Sequence, residues 1–304
     1  MMKISIVIIS YNRPEDLLEL AKNISSLQYA KEYLEEVIIV NNNSPVSYES
    51  VERFIENCPE IPFRYYRTAD NLGVSRGRNF AIQKSSSPIL VFLDDDAVFK
   101  SMDALLQIQK IFSTQYADRP TGIAAFKVYY YDTLALQQTA FPHKQFHKRK
   151  ELPRFSAAYF AGCAHAIKKE VFETVGYYPE TFFYGMEEYD LSYRVINAGY
   201  AIRYDASVEV LHKESPLGRL PGKDKLRGMW INKSTVAWKY LPQLYYFSTA
   251  FLWSLEYLRK TKFDAAGWVT GWKKILRIPA SEKRTPLNDA AKKYLKKVRA
   301  RLWY

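Results

Sequence analysis

The 304-residue sequence predicts an α/β protein in which a mostly parallel central sheet is covered by helices on both faces. Short apolar runs such as Ile4–Ile9 have the length of buried strands and are too short to span a membrane. These runs alternate with segments in which leucine and isoleucine recur at helical spacing. Hydrophobic residues form 48% and charged residues 25% of the chain, a composition that argues against disorder over most of its length.

The first half of the chain predicts four strands that alternate with three helices. The strands are ISIVII, EVIIV, FRYYRT and PILVFLD, and the helices are RPEDLLELAKNISSL, SYESVERFIENC and GVSRGRNFAIQKS. Pro14 lies near the start of the first helix, where a residue without a backbone N–H is tolerated. The first, second and fourth strands end in SYN, NNNS and DDD. Because ligands of such sheets bind at the carboxyl ends of the strands, we expect these polar clusters to meet at one rim.

The second half predicts a less regular succession of elements. MDALLQIQKIFSTQ predicts a helix, TGIAAFKVYYYD a strand, and the basic, proline-containing FPHKQFHKRKELPRF a loop. AAYFAGCAHAIKKEVFETVG then predicts a strand that runs into a helix, and FFYGMEEYDLSYRVINAGY a loop and a helix that Gly199 ends. AIRYDASVEVLHKES predicts a strand pair or one long strand, with His212 at its end.

The last third of the chain carries the whole basic excess of the protein, whose formal net charge is +12. Residues 213–304 contain 21 Lys/Arg and 6 Asp/Glu. The apolar segment Tyr245–Leu258, interrupted by Glu256, is shorter than the roughly 20 residues of a spanning helix. It predicts an aromatic, amphipathic helix that lies in a membrane interface. A final basic helix is predicted with Thr285 as its N-cap and Pro286 at its first position.

This charge distribution indicates an anionic partner for the tail, either membrane lipid or nucleic acid. The basic residues lie on amphipathic, aromatic segments, and the sequence has no zinc or recognition-helix motif, so we expect lipid and no nucleic acid. A solvated or dimer-forming helical appendage is the alternative. Cys58 and Cys163 provide neither a disulfide framework nor zinc spacing, and no secretory signal is present. The expected location is the cytoplasm, peripherally at the inner face of the cell membrane.

Three consecutive carboxylates, Asp94, Asp95 and Asp96, follow the fourth predicted strand. Adjacent like charges are unfavourable in a folded protein unless a cation lies among them. Alternate residues of an extended segment point to the same side, so Asp94 and Asp96 could share a metal site while Asp95 points elsewhere. Mg²⁺ and Mn²⁺ prefer such hard oxygen ligands. A solvated acidic turn explains the three residues equally well when they are taken alone.

A second acidic group lies in MEEYDLSYR, where Asp190 and Arg194 have the spacing of an intrahelical ion pair. Glu187 and Glu188 are expected to precede the helix, where one of them could act as a general base. A surface charge at a helix N-terminus is the simpler explanation of either glutamate. His212 could join two carboxylates around Mn²⁺, although a lone histidine is more often structural.

NLGVSRGRN, residues 71–79, predicts a glycine-bearing loop that opens a helix and suits phosphate. It has neither the dinucleotide-binding glycine fingerprint nor the GK[ST] of a P-loop, which argues against a nicotinamide-dependent dehydrogenase.

Seven segments together resemble the family 2 glycosyltransferases, which are inverting, nucleotide-sugar-dependent enzymes with the GT-A fold. They are SIVIISYNRPEDL, VIIVNNNSP, NLGVSRGRN, VFLDDDAV, AGCAHAIKKEVFETVGYYPE, YGMEEYDLSYRVINAGY and VLHKES, in the order and approximate spacing of that family. The resemblance covers residues 1 to about 215. It implies a catalytic domain 1–215, with a nucleotide-sugar half at about 1–100 and an acceptor half at about 101–215, followed by a helical region 216–304.

The resemblance also implies a role for each matching residue. The positions implied to bind the nucleotide sugar are Ser10, Tyr11, Asn12, Arg13, Asn41, Asn71, Gly73, Arg78, Asn79, Asp94 and Asp95. Asp96 and His212 are implied to bind the metal, and Gly162 and Glu187 the acceptor. Asn41 stands where the family commonly has an aspartate that contacts the base, so the charge is lost there although an amide oxygen can still accept an N–H. Glu188 matches the catalytic base, which is usually an aspartate.

The implied reaction transfers a hexosyl or deoxyhexosyl group from a nucleoside diphosphate sugar to a hydroxyl of a glycan or lipid-linked acceptor, in surface polysaccharide synthesis. A Mn²⁺ or Mg²⁺ ion would neutralise the leaving diphosphate, and Glu188 would deprotonate the acceptor in one inverting step. The alternative is a catalytically inactive nucleotide-sugar- or carbohydrate-binding protein of the same fold. A homodimer is a further expectation for the helical region.

Overall fold

The computed structural model of the chain describes residues 2–217 and 222–302. Its strands, in chain order, are β1 Ile4–Ser10, β2 Leu34–Asn41, β3 Phe63–Arg67, β4 Ile89–Asp94, β5 Ala97–Phe99, β6 Thr121–Tyr130, β7 Arg154–Ala157, β8 Ala164–Lys168 and β9 Ala201–His212. Among the described residues they form one nine-stranded sheet in the order β3-β2-β1-β4-β8-β6-β9-β5, with β7 paired to β9. The fold is mixed α/β, as predicted.

The helices cover this sheet and extend it at the C-terminal end of the chain. They are α1 Pro14–Ser25, α2 Ala30–Tyr33, α3 Glu49–Glu56, α4 Gly73–Lys84, α5 Ala104–Ser113, α6 Phe146–Arg149, α7 Lys169–Val175, α8 Glu187–Asn197, α9 Gly222–Tyr240, α10 Gln243–Lys260, α11 Ala265–Ile275, α12 Ile278–Ser281 and α13 Asp289–Lys297. A short 3-10 helix spans Gln138–Ala140.

The strands of the first half are parallel, as their uninterrupted apolar runs predict. β1 pairs in parallel with β2 and β4, and β2 pairs in parallel with β3. β8 is antiparallel to both β4 and β6, whereas β6 and β9 are parallel. Because β1 is buried along nearly its whole length, both of its faces must be covered, and helices supply that cover.

Two predicted elements differ from the observed ones. The loop predicted over residues 141–155 contains the short helix α6 and the start of β7, because β7 finds a partner in β9 that local sequence does not reveal. Asn288, not Thr285, caps α13, and its side chain accepts a hydrogen bond from the backbone N–H of Ala291 at 2.8 Å. Asn288 also bonds Asn197, so a tertiary contact selects the cap. Residues 303 and 304, the end of the predicted final helix, lie outside the described residues.

The C-terminal helices pack onto the sheet part of the molecule through a shared apolar core. Asp190 of α8, almost fully buried, accepts hydrogen bonds from Lys239 and Tyr240 of α9 at 2.6 and 2.7 Å. Its predicted pairing with Arg194 is confirmed, with a contact of 2.8 Å. These contacts attach α9 to the helix that begins at the paired glutamates. Within the described residues, no helix combines the length and the apolar character needed to cross a bilayer.

Candidate active site

The polar ends of the strands meet at one rim of the sheet. Because β1, β2 and β4 are parallel neighbours, Ser10 is in register with Asn41, and Ile9 with Asp94. β9 brings His212 to the same place through its pairing with Ala97 of β5. A cleft of about 560 Å³ opens at this rim. Its lining includes Tyr11, Asn12, Arg13, Asn42, Asn71, Gly73, Arg78, Asp94, Asp95, Asp96 and His212.

Asp94, Asp96 and His212 form a cluster in which one potential ligand atom from each residue lies within 4.8 Å of the others. The Asp96 carboxylate accepts a hydrogen bond from the backbone N–H of Ser215 through Oδ2, at 2.7 Å. Its Oδ1 is buried, has no hydrogen bond and lies 3.3 Å from His212 Nε2. Burial disfavours ionisation of Asp96, but His212 and Arg13 outweigh this effect and lower its pKa. The cluster therefore offers two carboxylates and an imidazole, a donor set that fits Mn²⁺ or Mg²⁺.

Gln137 orients the imidazole of this cluster, a role that the sequence did not predict. The Nδ1 atom of His212 lies 3.0 Å from the amide oxygen of Gln137. Because that oxygen only accepts, the hydrogen bond places the proton on Nδ1 and leaves Nε2 to face Asp96.

Asp95 is not part of this cluster and pairs with Arg13. Asp95 and Asp96 lie in the turn between β4 and β5, so the alternation expected of an extended segment does not apply to them. The Nη1 atom of Arg13 lies 2.7 Å from Asp95 and 3.3 Å from Asp96. Burial raises the pKa of Asp95 to about 7, although Arg13 opposes the shift. The same guanidinium donates hydrogen bonds to the carbonyls of Ser215 and Leu217, so it fixes the chain that follows β9 beside the cleft.

Asn42, which the sequence analysis did not select, organises the glycine-bearing loop. Its side-chain amide donates to Asn71 Oδ1 and to the Gly73 carbonyl, and its oxygen accepts from the backbone N–H of Leu72. Gly73 has a φ of +70°, and a Cβ there would lie 2.7 Å from the Phe183 ring. Only glycine satisfies both the backbone angle and the close approach.

Three residues implied to bind the nucleotide lie beneath the cleft wall and support it. The amide nitrogen of Asn41 donates to the Tyr65 hydroxyl at 2.7 Å, and its oxygen accepts from the backbone N–H of Ser44. The Ser10 hydroxyl bonds that of Tyr48 at 2.7 Å. Asn79 bonds the backbone N–H and carbonyl of Tyr178. In this region Asn42, and not Asn41, reaches the cleft surface.

A second cleft, of about 340 Å³, adjoins the first. Both clefts share Arg78, Asp94 and His212 in their walls. The further lining of the second cleft includes Gln137, Tyr159, Gly162, Glu187, Glu188, Lys225 and Met229. The two clefts therefore meet at the carboxylate and imidazole cluster, and the residues implied for the acceptor lie in the second one.

Glu187 and Glu188 form the first turn of α8, whereas the sequence analysis placed them before the helix. Glu187 is buried, and burial together with the neighbouring Glu188 raises its pKa to about 8. Glu188 is more exposed, and its Oε1 lies 3.3 Å from Arg78 Nη1. Arg78 Nη1 also lies 3.6 Å from Glu187 Oε1, so the two adjacent glutamates share this cation and differ in burial.

Arg78 connects the two clefts through both ends of its guanidinium. Its Nη1 lies 3.3 Å from Glu188, whereas its Nη2 lies 3.4 Å from Asp94 and donates to the Gly162 carbonyl at 2.9 Å. The arginine is almost fully buried, so its charge acts on both carboxylates with little screening by water.

Residues 5–176 match the profile of the family described as glycosyl transferase family 2. The chain belongs to this family. An uncharacterized protein of Haemophilus influenzae is 32% identical over 179 residues, which are 58% of this chain and 92% of that protein. The uncharacterized glycosyltransferase YwdF of Bacillus subtilis is 32% identical over 126 residues, which cover 41% of this chain and less than half, 44%, of YwdF.

Solved glycosyltransferases share the fold of this family 2 chain. GalNAc-T7 with UDP, GalNAc and Mn²⁺ aligns with a TM-score of 0.64 at 16% identity, over 98% of this chain and 57% of its own. TarS 1–349 of S. aureus, in complex with UDP-GlcNAc, gives 0.61 at 14% identity, over 91% and 81%. The mannosyltransferase PcManGT of Pyrobaculum calidifontis, with GDP-Man and Mn²⁺, gives 0.59 at 16% identity, over 98% and 80%. These likenesses show the GT-A fold.

The family match ends before α8, so it does not include the paired glutamates or His212. In this family 2 chain those residues reach the cleft only through the tertiary packing of α8 and β9. Lys225 and Met229 of α9, which lie beyond every segment that carried the resemblance, also line the second cleft. No local signal in the sequence distinguishes them from other residues of the basic tail.

Proposed function

We propose that this family 2 chain is an inverting glycosyltransferase that moves a hexosyl or deoxyhexosyl group from a nucleoside diphosphate sugar to a hydroxyl of a glycan or lipid-linked acceptor. The donor occupies the first cleft and the acceptor the second. The observation that carries the proposal is the position of Asp94, Asp96 and His212 where the two clefts meet. A donor bound there would have its diphosphate at the cluster and its sugar at the acceptor.

The cluster suits a divalent cation because the Asp96 Oδ1 is buried without a hydrogen bond beside an imidazole nitrogen. Asp94, Asp96 and His212 would hold Mn²⁺ or Mg²⁺, which supplies Lewis-acid stabilisation of the charge that develops on the leaving diphosphate. Arg13 contributes a fixed positive charge on the other side of Asp96. The similar solved structures of GalNAc-T7 and PcManGT contain Mn²⁺ with UDP or GDP-Man, which supports this class of donor and ion.

Glu188 is the proposed general base. Glu187, with its pKa raised to about 8, holds its proton at neutral pH and is a poor proton acceptor. Glu188 lines the acceptor cleft, and Arg78 stabilises its carboxylate on the side that faces Asp94. A proton removed by Glu188 would leave the acceptor oxygen free to displace the diphosphate from the opposite face of the sugar. We therefore assign a single displacement with inversion.

A panel of nucleotide sugars tests this proposal, with thermal stabilisation and nucleoside diphosphate release measured with and without Mn²⁺. We expect at least one donor to stabilise the protein in a Mn²⁺-dependent manner and to be turned over. Glu188→Gln should reduce turnover by roughly 10²–10⁴-fold and leave donor binding unchanged. Stabilisation without turnover by the wild-type protein would instead establish a nucleotide-sugar-binding protein. Full turnover by Glu188→Gln would refute the assignment of the base.

This proposal also includes the expected role of the enzyme in surface polysaccharide synthesis, at the cytoplasmic face of a membrane. The exposed apolar side chains of the C-terminal helices support the membrane location.

A further inference from the structure

Helix α10 presents an apolar face to solvent. This α10 face consists of Leu244, Phe247, Phe251 and Leu255, which follow one another at intervals of three or four residues and therefore share one side of the helix. Their exposed fractions are 72%, 63%, 56% and 48%. Other positions of the same helix, including Tyr246 and Tyr257, are buried against the protein. The buried side of α10 therefore packs against the rest of the protein. Packing within the chain does not explain why the exposed side is also apolar.

The connection from α10 to α11 and the end of α11 add two more exposed apolar side chains. Phe263 is 78% exposed, and left-handed backbone at Lys262 and Phe263 forms the turn that carries it. Leu276, which follows α11, is 69% exposed. Bulky side chains in such positions mark interaction surfaces when they occur in a group.

Exposed basic residues accompany these apolar side chains in the sequence. Residues 243–277 contain six Lys/Arg and two Asp/Glu, a surplus of four. Lys262 is adjacent to Phe263 in the chain, and Lys273, Lys274 and Arg277 flank Leu276. All four of these basic residues are exposed. Apolar side chains accompanied by exposed cations are typical of surfaces that lie in the headgroup region of anionic bilayers.

This surface belongs to helices that pack on α9, which also lines the acceptor cleft. α10 and α11 both pack on α9, where the buried Trp230 donates a hydrogen bond from its indole to the Ala250 carbonyl at 2.9 Å. The Trp230 ring also lies 5.7 Å from Tyr257 of α10 and 5.6 Å from Trp272 of α11. Since α9 also provides Lys225 and Met229 to the wall of the second cleft, one helix connects the exposed surface to the acceptor site.

We propose that the α10 face, together with Phe263 and Leu276, docks onto an anionic lipid bilayer. A second copy of the chain would have to bring an equally basic surface against this one, so the charge favours lipid over self-association. Docking itself does not depend on the proposed transferase activity. Its consequence, the presentation of a lipid-linked acceptor to the second cleft, does rest on that activity.

Co-sedimentation of the full chain with lipid vesicles tests the docking. Vesicles of phosphatidylcholine with phosphatidylglycerol should retain the protein, and phosphatidylcholine alone should retain it much less. Retention should fall as salt is raised, because the electrostatic part is screened. The double variant Phe247→Ser/Phe251→Ser should lower the partition coefficient at least about tenfold, because two aromatic side chains no longer enter the interface. Tyr29→Ser/Leu152→Ser, which alters two exposed side chains elsewhere, should bind like wild type.

A charge-reversal pair tests these basic residues separately. Lys273→Glu/Lys274→Glu should lose at least about tenfold on anionic vesicles, since each basic residue near such a surface contributes a factor of roughly five. Lys31→Glu/Lys110→Glu makes the same change in net charge at exposed positions far from α10 and α11 in the sequence, and should have a much smaller effect.

Retention that survives both the aromatic and the charge-reversal variants would overturn the docking proposal, as would the absence of any retention by wild type. Light scattering that shows a dimer, converted to monomer by Phe247→Ser/Phe251→Ser, would assign the surface to a second copy and would also overturn it. Turnover of a soluble donor, measured on the same variants, separates the two proposals. Loss of vesicle binding with unchanged donor turnover supports docking and leaves the transferase assignment intact.

Discussion

The position of Glu188 depends on a glycine that touches it. A Cβ added at Gly162 would lie 2.1 Å from Glu188 Oε1, whereas ordinary contacts begin at 3.4 Å. In Gly162→Ala the carboxylate must therefore move by about 1.3 Å, the difference between 3.4 and 2.1 Å. Arg78 Nη2, at 3.1 Å from the same point, must move by a few tenths of an ångström. The substitution displaces the proposed base without removing it.

The size of the effect follows from this displacement. Misplacement of a reacting group by about 1 Å can cost roughly 100-fold in rate, so we expect the kcat of Gly162→Ala to fall by about that factor. Donor affinity should change little, because Gly162 does not line the first cleft and Arg78, which does, moves by only a few tenths of an ångström. The melting temperature should change little, because the atom that must move is the end of a flexible side chain.

Nucleoside diphosphate release, measured over a range of donor and acceptor concentrations, is the assay. Gly228→Ala is the matched control, because a Cβ at Gly228 meets no other atom within 4 Å. A rise in acceptor KM with unchanged kcat would mean that the methyl group only obstructs the acceptor. That result, or a wild-type rate in Gly162→Ala, would refute the inference that this contact positions the base.

Two further predictions concern α8. Glu187→Gln should keep near-wild-type turnover, because Glu187 is already protonated at neutral pH. The raised pKa of Glu187 stabilises the fold fully at pH values below its pKa in the unfolded chain, about 4.3, and this stabilisation is lost as the pH rises towards 8. Glu187→Gln has no such group. Its melting temperature should therefore fall less between these pH values than the melting temperature of wild type does. Tyr240→Phe removes a hydrogen bond to the buried Asp190 and should cost about 1–3 kcal/mol in urea unfolding; an unchanged midpoint would contradict this.

Periodicity and strand polarity were sufficient to predict the centre of the site. Because parallel strands end at one edge, the sequence predicted that the ends of β1, β2 and β4 converge. Asp94 and Asp96 share a cluster as predicted, but the turn between β4 and β5 brings them together, and strand alternation does not. The chemistry of imidazole made His212 a candidate ligand, but only the family resemblance placed it with Asp94 and Asp96, since β9 pairs with β5 across more than a hundred residues of sequence.

The remaining details depended on geometry that local sequence does not encode. Of three consecutive asparagines, residues 41–43, Asn41 is the last residue of β2, and Asn42, the first residue after the strand, lines the cleft. Thr285 and Asn288 are both good helix caps, and Asn288 is selected by its bonds to Asn197. The contacts of Arg78 with Asp94 and Glu188 join three separate elements, so spacing along the chain could not reveal them.

Titration of Mn²⁺ into the protein with a nucleoside diphosphate, followed by the electron paramagnetic resonance of free Mn²⁺, tests the central claim most directly. Wild type should bind a single equivalent of the ion. Asp96→Asn, which retains an oxygen for the Ser215 N–H but loses the charge, should bind it much more weakly, whereas Asp132→Ala at an exposed position should bind like wild type. Equal Mn²⁺ binding by Asp96→Asn and wild type would contradict the assignment of the metal to the Asp94, Asp96 and His212 cluster.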